Sequence, residues 1–208
     1  MWLLPSRRSH LIERVFSVCP PTEPGLIVIN SGFEKDYENL KIPDNWKIHA
    51  VTDCRFVRDK LNITFEQFPH EPYYGVIGDD TIPQTPGWDS FLADKAGSNH
   101  IAVASQVFIE RPAHGAIGGD LARACGWIMC PATKHFYSDD ALELIGTHFK
   151  CWDYYPEIKI AHHHFSVGLA PWDGVYGDRT DANDQRSFEQ WKLNDWPTLR
   201  EKLAPLYS

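Results

Sequence analysis

The sequence predicts a single α/β domain built on a mostly parallel central sheet. Three observations predict it. Apolar, β-branched runs at 26–29 and 73–77 read as strands buried on both faces. Helical patterns separate the strand patterns, which is the order of a parallel sheet with crossover helices. Three early strands end in small or polar residues, Pro5-Ser6-Arg7, Asn30-Ser31 and Gly78-Asp79-Asp80, and α/β sheets bind ligands beyond such ends. A chain of 208 residues suits one domain of ordinary size.

The elements follow in order. Trp2-Leu3-Leu4 is a short strand stopped by Pro5. Ser6 can cap a helix over 7–18, whose Leu11, Ile12, Val15 and Phe16 share a face. Pro20-Pro21 and Pro24-Gly25 end that unit, and 26–29 is the second strand. A short helix is expected over 33–40, a third strand over 46–51, and another helix within 53–65. Residues 73–77 form the fourth strand. Thr85-Pro86-Gly87-Trp88-Asp89 opens a helix that runs to 94. Residues 100–109 contain a strand-like run, and Gly115 to Asp120 precede a helix over 121–127. Ser138 caps a helix over 141–149, with Asp139 and Asp140 placed against its dipole. Residues 154–164 look extended, and 184–203 form a terminal helix broken at Pro197.

Bulk composition narrows the partners. The net charge is −8, and no polybasic arm or stripe appears, so charge does not advertise a nucleic-acid partner. A local basic groove is still compatible with an acidic chain. Arg7-Arg8, Arg55, Arg58 and Lys60 are the N-terminal basic residues that could converge, although each alone reads as a solvated surface charge. Five cysteines without a C-x-x-C read as buried free thiols in a reducing cytoplasm. No segment approaches the length of a membrane span, and the apolar start is too short for a signal peptide, so a soluble cytoplasmic protein is expected. The many aromatic rings read chiefly as core, with some left to line a cleft.

Four features can carry chemistry. Asp79 and Asp80 stand together at a strand end, where a divalent cation would relieve their repulsion; capping of the following turn is the plain alternative. In His162-His163-His164, strand alternation puts His162 and His164 on one face and His163 on the other. Such a pair can ligate a metal, or simply pack over aromatic rings. Asp139-Asp140 serves a helix start by spacing, with general-base work as the functional alternative. Gly115 to Gly119 lacks the dinucleotide and phosphate-loop patterns, but can bind an anion or admit a close backbone approach. No serine nucleophile elbow, kinase set or H-E-x-x-H occurs.

The order of these pieces resembles a known family. Pro5-Ser6-Arg7 after a strand, Gly78-Asp79-Asp80, Thr85-Pro86-Gly87-Trp88-Asp89, Gly126-Trp127, His135-x-Tyr137-x-Asp139 and His162-x-His164 look like a small GT-A glycosyltransferase. The group most like it occurs in bacteriophages and related bacterial genes, some beside enzymes that oxidise DNA methyl groups. The resemblance spans roughly residues 2 to 191. It implies one glycosyltransferase domain over 1–208, with a nucleotide-sugar half at 1–98 and an acceptor half with the C-terminal helix at 99–208.

By the same resemblance the donor is a UDP-sugar and the cofactor Mn²⁺ or Mg²⁺. Asp80 would touch the metal, with His162 or His164 completing the site. Asp79 would bind ribose or a water of the metal shell. Pro5, Ser6 and Arg7 would hold base and ribose, with Asn30 at the end of the second strand beside them. Asp139, or Asp140 in its place, would act as catalytic base in an inverting reaction. Trp88 and Asp89 would face the sugar or acceptor. The implied acceptor is a hydroxymethylpyrimidine of phage DNA such as 5-hydroxymethylcytosine, in the host cytoplasm. A cell-surface glycan or small metabolite, a non-catalytic nucleotide or carbohydrate binder, and a metallohydrolase are the competing readings. The chain departs from the family pattern at Gly78, at Asn30-Ser31 and at Ala161, where relatives often carry acids.

Overall fold

A computed structural model describes residues 1–109, 114–174 and 181–208. The strands are β1 (Trp2–Pro5), β2 (Gly25–Asn30), β3 (Trp46–Val51), β4 (Tyr73–Val76), β5 (Thr81–Pro83), β6 (Ile101–Val107), β7 (Gly115–Gly118) and β8 (Trp152–His162). They form one eight-stranded sheet in the order β3-β2-β1-β4-β7-β6-β8-β5. β1, β2, β3 and β4 are mutually parallel, and β6 and β8 run the same way beyond β7. Only β7 and β5 are reversed, so the expected mostly parallel sheet is present.

The helices are α1 (Ser9–Val15), α2 (Val57–Gln67), α3 (Trp88–Ala96), α4 (Gly119–Cys125), α5 (Ser138–Phe149), α6 (Asp181–Asn194) and α7 (Trp196–Leu203). Strand alternation divides the core between the two faces of the sheet. Leu3 and Val28 join Leu61, Phe65, Leu121 and Ile145 beneath α2, α4 and α5. Trp2, Leu4, Ile27 and Ile29 join Ile12, Trp88 and Leu92 beneath α1 and α3. Gly75 lets the Trp2 ring lie flat over β4, since a Cβ there would sit 2.3 Å from the ring. Most tryptophans are core, as expected, while Trp172 is 62% exposed. All five cysteines are free and buried. Among the described residues no helix is long and apolar enough to cross a membrane.

Several boundaries differ from the sequence reading. α1 begins at Ser9, because the Ser6 hydroxyl accepts from the Arg8 N–H ahead of the helix. The 33–40 segment makes only one 3₁₀ turn, Glu34–Asp36. α5 begins at Ser138 rather than after it, entered through Tyr137 at φ 64°. Gly115–Gly118 form strand β7, and of the two uses the sequence allowed, anion binding or a close backbone approach, the second is found. Cβ atoms on Gly118 and Gly119 would sit 2.3 and 2.2 Å from the backbones of Ser98 and Glu71, so these glycines serve close backbone packing. The terminal helix is two, with Pro197 in the first turn of α7 where its missing N–H costs nothing.

Candidate functional site

The carboxyl ends of β1 and β4 are tied together through Asp79. The Ser6 hydroxyl donates to Asp79 Oδ2 at 3.0 Å, and the Arg7 N–H donates to the same oxygen at 3.3 Å. Tyr37 donates to Ser6 Oγ at 3.1 Å and so completes the partners of that hydroxyl. Both acids are buried, Asp79 at 5% exposure and Asp80 at 4%. Arg8 offsets their repulsion. Its Nη2 lies 3.3 Å from Asp79 Oδ1 and 3.6 Å from Asp80 Oδ2, and its Nη1 lies 3.8 Å from Asp173 Oδ2.

The other oxygen of Asp80 faces β8. β5 pairs with β8 so that Thr81 stands opposite His162, and this register brings His162 Nε2 to 3.3 Å from Asp80 Oδ1. His162 Nδ1 lies 2.5 Å from Gln106 Oε1. With that carbonyl as acceptor, Nδ1 carries a proton, and Nε2 is the ring atom turned to Asp80. The protonated ring donates Nε2–H to this carboxylate, and a divalent cation bound to both atoms would take the place of that proton.

The two acids respond differently to their surroundings. Burial pushes the Asp79 carboxyl up, more than Arg8 pulls it down. Burial acts on Asp80 as well, but the hydrogen bond and charge of His162, then Arg8, hold it well below the usual carboxylate range. His114 lies beside them with its ring centroid 5.1 Å from that of His162. Its Nε2 is buried without a hydrogen-bond partner among the described residues. Burial and then His162 push its pKa down to about 3, so it is a neutral ring at pH 7.

Asp139 reaches the same place from α5. The loop before it is held by Asp184 of α6, which is 1% exposed. Its carboxylate accepts from the N–H groups of Lys134, His135 and Phe136 at 3.1, 2.9 and 2.9 Å.

These groups enclose a cavity of about 270 Å³, lined by Pro5, Ser6, Arg7, Arg8, Lys60, Asp79, Asp80, His114, Asp139 and His162. A second, shallower cavity of about 650 Å³ lies at the ends of β2 and β3, lined by Arg7, Asn30, Ser31, Thr52, Asp53 and Arg55. Arg7 borders both. Asn30 therefore stands beside the acid site, where its amide donates to the Cys54 carbonyl at 2.7 Å.

Seven of the residues singled out in the sequence thus meet in the first cavity: Pro5, Ser6, Arg7, Asp79, Asp80, Asp139 and His162. Asp140 and His164 do not line it. His164 shares a face with His162, with ring centroids 5.3 Å apart, but its Nδ1 pairs with Ser166 at 2.7 Å. Among the described residues no group of three or more His, Cys, Asp or Glu side chains is arranged to hold a metal, so Asp80, His162 and His164 do not form a complete ligand set.

Trp88 and Asp89 do not face the cavity. Both are fully buried. Trp88 packs edge-on against Trp2 at 4.5 Å and donates to the Cys19 carbonyl. Asp89 accepts from the N–H groups of Thr22 and Glu23, just before β2. The reason is topological: β5 runs antiparallel to its neighbour and returns the chain to the amino-terminal end of the parallel strands before α3 begins.

Four contributors escaped the sequence reading. Arg8 and Lys60 were visible only as basic residues that could converge, and both are buried at the cavity. His114 and Asp184 stand alone in the sequence, and only the tertiary fold gives them roles.

No protein-family model matches the chain, and no curated protein matches it in sequence. Among solved structures it is similar to PcManGT, a mannosyltransferase from Pyrobaculum calidifontis solved in complex with GDP-Man and Mn²⁺. The TM-score is 0.56 at 11% identity, over 85% of this chain and 58% of that one. The chain thus spans a little over half the length of that neighbour, and the likeness is one of fold.

Proposed function

We propose that the chain is a glycosyltransferase of GT-A type that moves a sugar from a nucleotide-sugar, expected to be a UDP-sugar, to a hydroxyl acceptor. One observation carries the reading: two adjacent buried carboxylates at the tip of β4 share a cavity with an imidazole, two buried cations and a further acid. The shared fold with a transferase solved with GDP-Man and Mn²⁺ supports it. In this reading residues 1–98 hold the donor and 99–208 form the acceptor side. The second cavity, with Arg7 and Asn30, takes base and ribose.

The donor atoms fit Mn²⁺ or Mg²⁺. Asp80 offers a carboxylate oxygen and His162 a ring lone pair, and a cation with two protein ligands can take its other positions from a diphosphate and water. Bound there, it would act as a Lewis acid for the charge that grows on the departing phosphate. Arg8 holds both carboxylates in place, and Gln106 fixes the His162 tautomer. Asp139, at the start of α5, is the acid that would take the acceptor hydroxyl's proton in an inverting reaction.

For the acceptor we favour a hydroxymethylpyrimidine in phage DNA. Support comes from a basic cluster: the guanidinium carbons of Arg55 and Arg58 and the ammonium of Lys134 lie 5.3, 5.9 and 5.2 Å from the Phe56 ring centroid. Cations around this half-buried ring suit a phosphate backbone even on a chain of net charge −8, with Arg55 and Lys134 the better placed, since Arg58 is paired with Asp59. The test is incubation with labelled UDP- and GDP-sugars and hydroxymethylated DNA. Label on the DNA supports the proposal. Label found only on glycans or small hydroxyl compounds replaces the acceptor, and binding without turnover makes the protein a binder.

A further inference from the structure

Lys60 of α2 lines the cavity and is only 2% exposed. Its ammonium has three hydrogen-bond donors. One of them goes to the Ser6 carbonyl at 2.6 Å. Among the described residues no carboxylate forms an ion pair with it; the charged groups that act on it are Arg7 and Asp79, and the Cys54 thiol beside it is neutral because burial pushes its pKa up. An ammonium buried without a carboxylate in direct contact is costly to the fold. Such a group is well suited to a site whose ligand brings the missing negative charge.

Location narrows the ligand. Lys60 holds the carbonyl of the residue before Arg7, and Arg7 borders both cavities. The ammonium therefore stands near the junction, where a nucleoside in one cavity would be linked to a sugar in the other. That link is a diphosphate.

We propose that Lys60 is a phosphate-binding residue, whose ammonium gives the donors not used by Ser6 to a diphosphate oxygen of the nucleotide. The proposal rests on the nucleotide-sugar reading above. It adds a protein cation to the charge that receives the leaving group, on the Ser6 side of the cavity rather than on the His162 side.

The test compares wild type, Lys60→Met and Lys60→Arg. UDP and GDP are titrated with Mn²⁺ present, beside uridine and guanosine, and thermal unfolding is recorded for each protein. Methionine keeps most of the volume and removes the charge. The expected result is about 10- to 100-fold weaker nucleoside diphosphate binding in Lys60→Met. Nucleoside binding should be unchanged and the midpoint of unfolding equal or higher, with Lys60→Arg retaining part of the affinity. Diphosphate binding as in wild type would overturn the proposal. So would a misfolded or less stable Lys60→Met that loses nucleoside and nucleotide alike, because Lys60 would then be a structural clasp on Ser6. If wild type binds neither UDP nor GDP, the nucleotide-sugar reading fails and this proposal falls with it.

Discussion

His162 Nε2 stands 3.3 Å from Asp80 Oδ1, while its Nδ1 is held by Gln106 Oε1. The turn after β4 and the end of β8 thus bring two potential metal ligands to one point. In this account that point is where a cation bridges protein and diphosphate. Asp80→Asn is expected to keep the fold and lose at least about 100-fold in transfer, in line with losses for removing one preorganised electrostatic group. Gln106→Leu frees the His162 ring, and the Mn²⁺ concentration for half-maximal activity should rise about 10- to 100-fold. Metal titration of initial rates checks both; an unaltered metal requirement in Gln106→Leu contradicts the assigned tautomer.

Asp89 separates the site from its scaffold. The carboxylate is fully buried and serves the backbone N–H groups of Thr22 and Glu23, just before the start of β2 and at the opposite end of the strands from the site. Asp89→Ala leaves those donors unpaired and should cost about 2–4 kcal/mol in stability. Donor affinity per folded molecule should not change. Urea unfolding with nucleotide titration checks this, and a selective loss of donor binding would return Asp89 to the sugar site.

Asp184 acts on the site at one remove. Three N–H groups of residues 134–136 converge on it, and those residues lead into Asp139. Asp184→Ala should destabilise the chain by about 2–4 kcal/mol and lower kcat more than it raises the donor KM, because the acid moves and the nucleotide cavity does not. Steady-state kinetics well below the unfolding midpoint decide it.

Lys60 gives the stability a pH signature. Burial lowers its pKa from the ordinary 10.5 to about 8. Below pH 8 the amine is protonated in both states, and the folded chain carries the whole cost of burial. Between pH 8 and 10.5 the folded chain gives up that proton while the unfolded chain keeps it. The unfolded state then binds more protons, so this contribution to stability rises with pH, by up to about 3 kcal/mol. Subtracting the Lys60→Met curve from wild type isolates it from the cysteines and tyrosines that titrate in the same range. A flat difference from pH 7 to 10.5 contradicts the burial of a charged amine.

The legible parts of the fold were those that local pattern decides. Continuous apolar runs announced β2 and β4, and strand ends announced Ser6 and the Asp79-Asp80 pair, because carboxyl-end geometry follows from a parallel sheet. Trp88 and Asp89 looked equally suited to the site, but the reversed strand β5 delivers them to the amino-terminal end of the parallel strands. Arg8 and Lys60 read as surface charges, since nothing local distinguishes a solvated cation from one buried against Asp79 and Ser6. Gly115 to Gly119 allowed either an anion or a close backbone approach, and the choice falls to the second only because backbone distant in sequence packs on these glycines. His114 takes its neutral state from burial beside His162.

The central claim is that the cavity between β1, β4, β8 and α5 holds a nucleotide-sugar. Calorimetric titration of wild type and Asp80→Asn with UDP-glucose and GDP-mannose, with Mn²⁺ and then with EDTA, tests it most directly. The account predicts a Kd between about 1 μM and 1 mM for one of them, as is usual for enzyme substrates, weakened at least about tenfold by EDTA and by Asp80→Asn. Binding indifferent to both treatments, or no binding of either donor by a folded wild type, would contradict it.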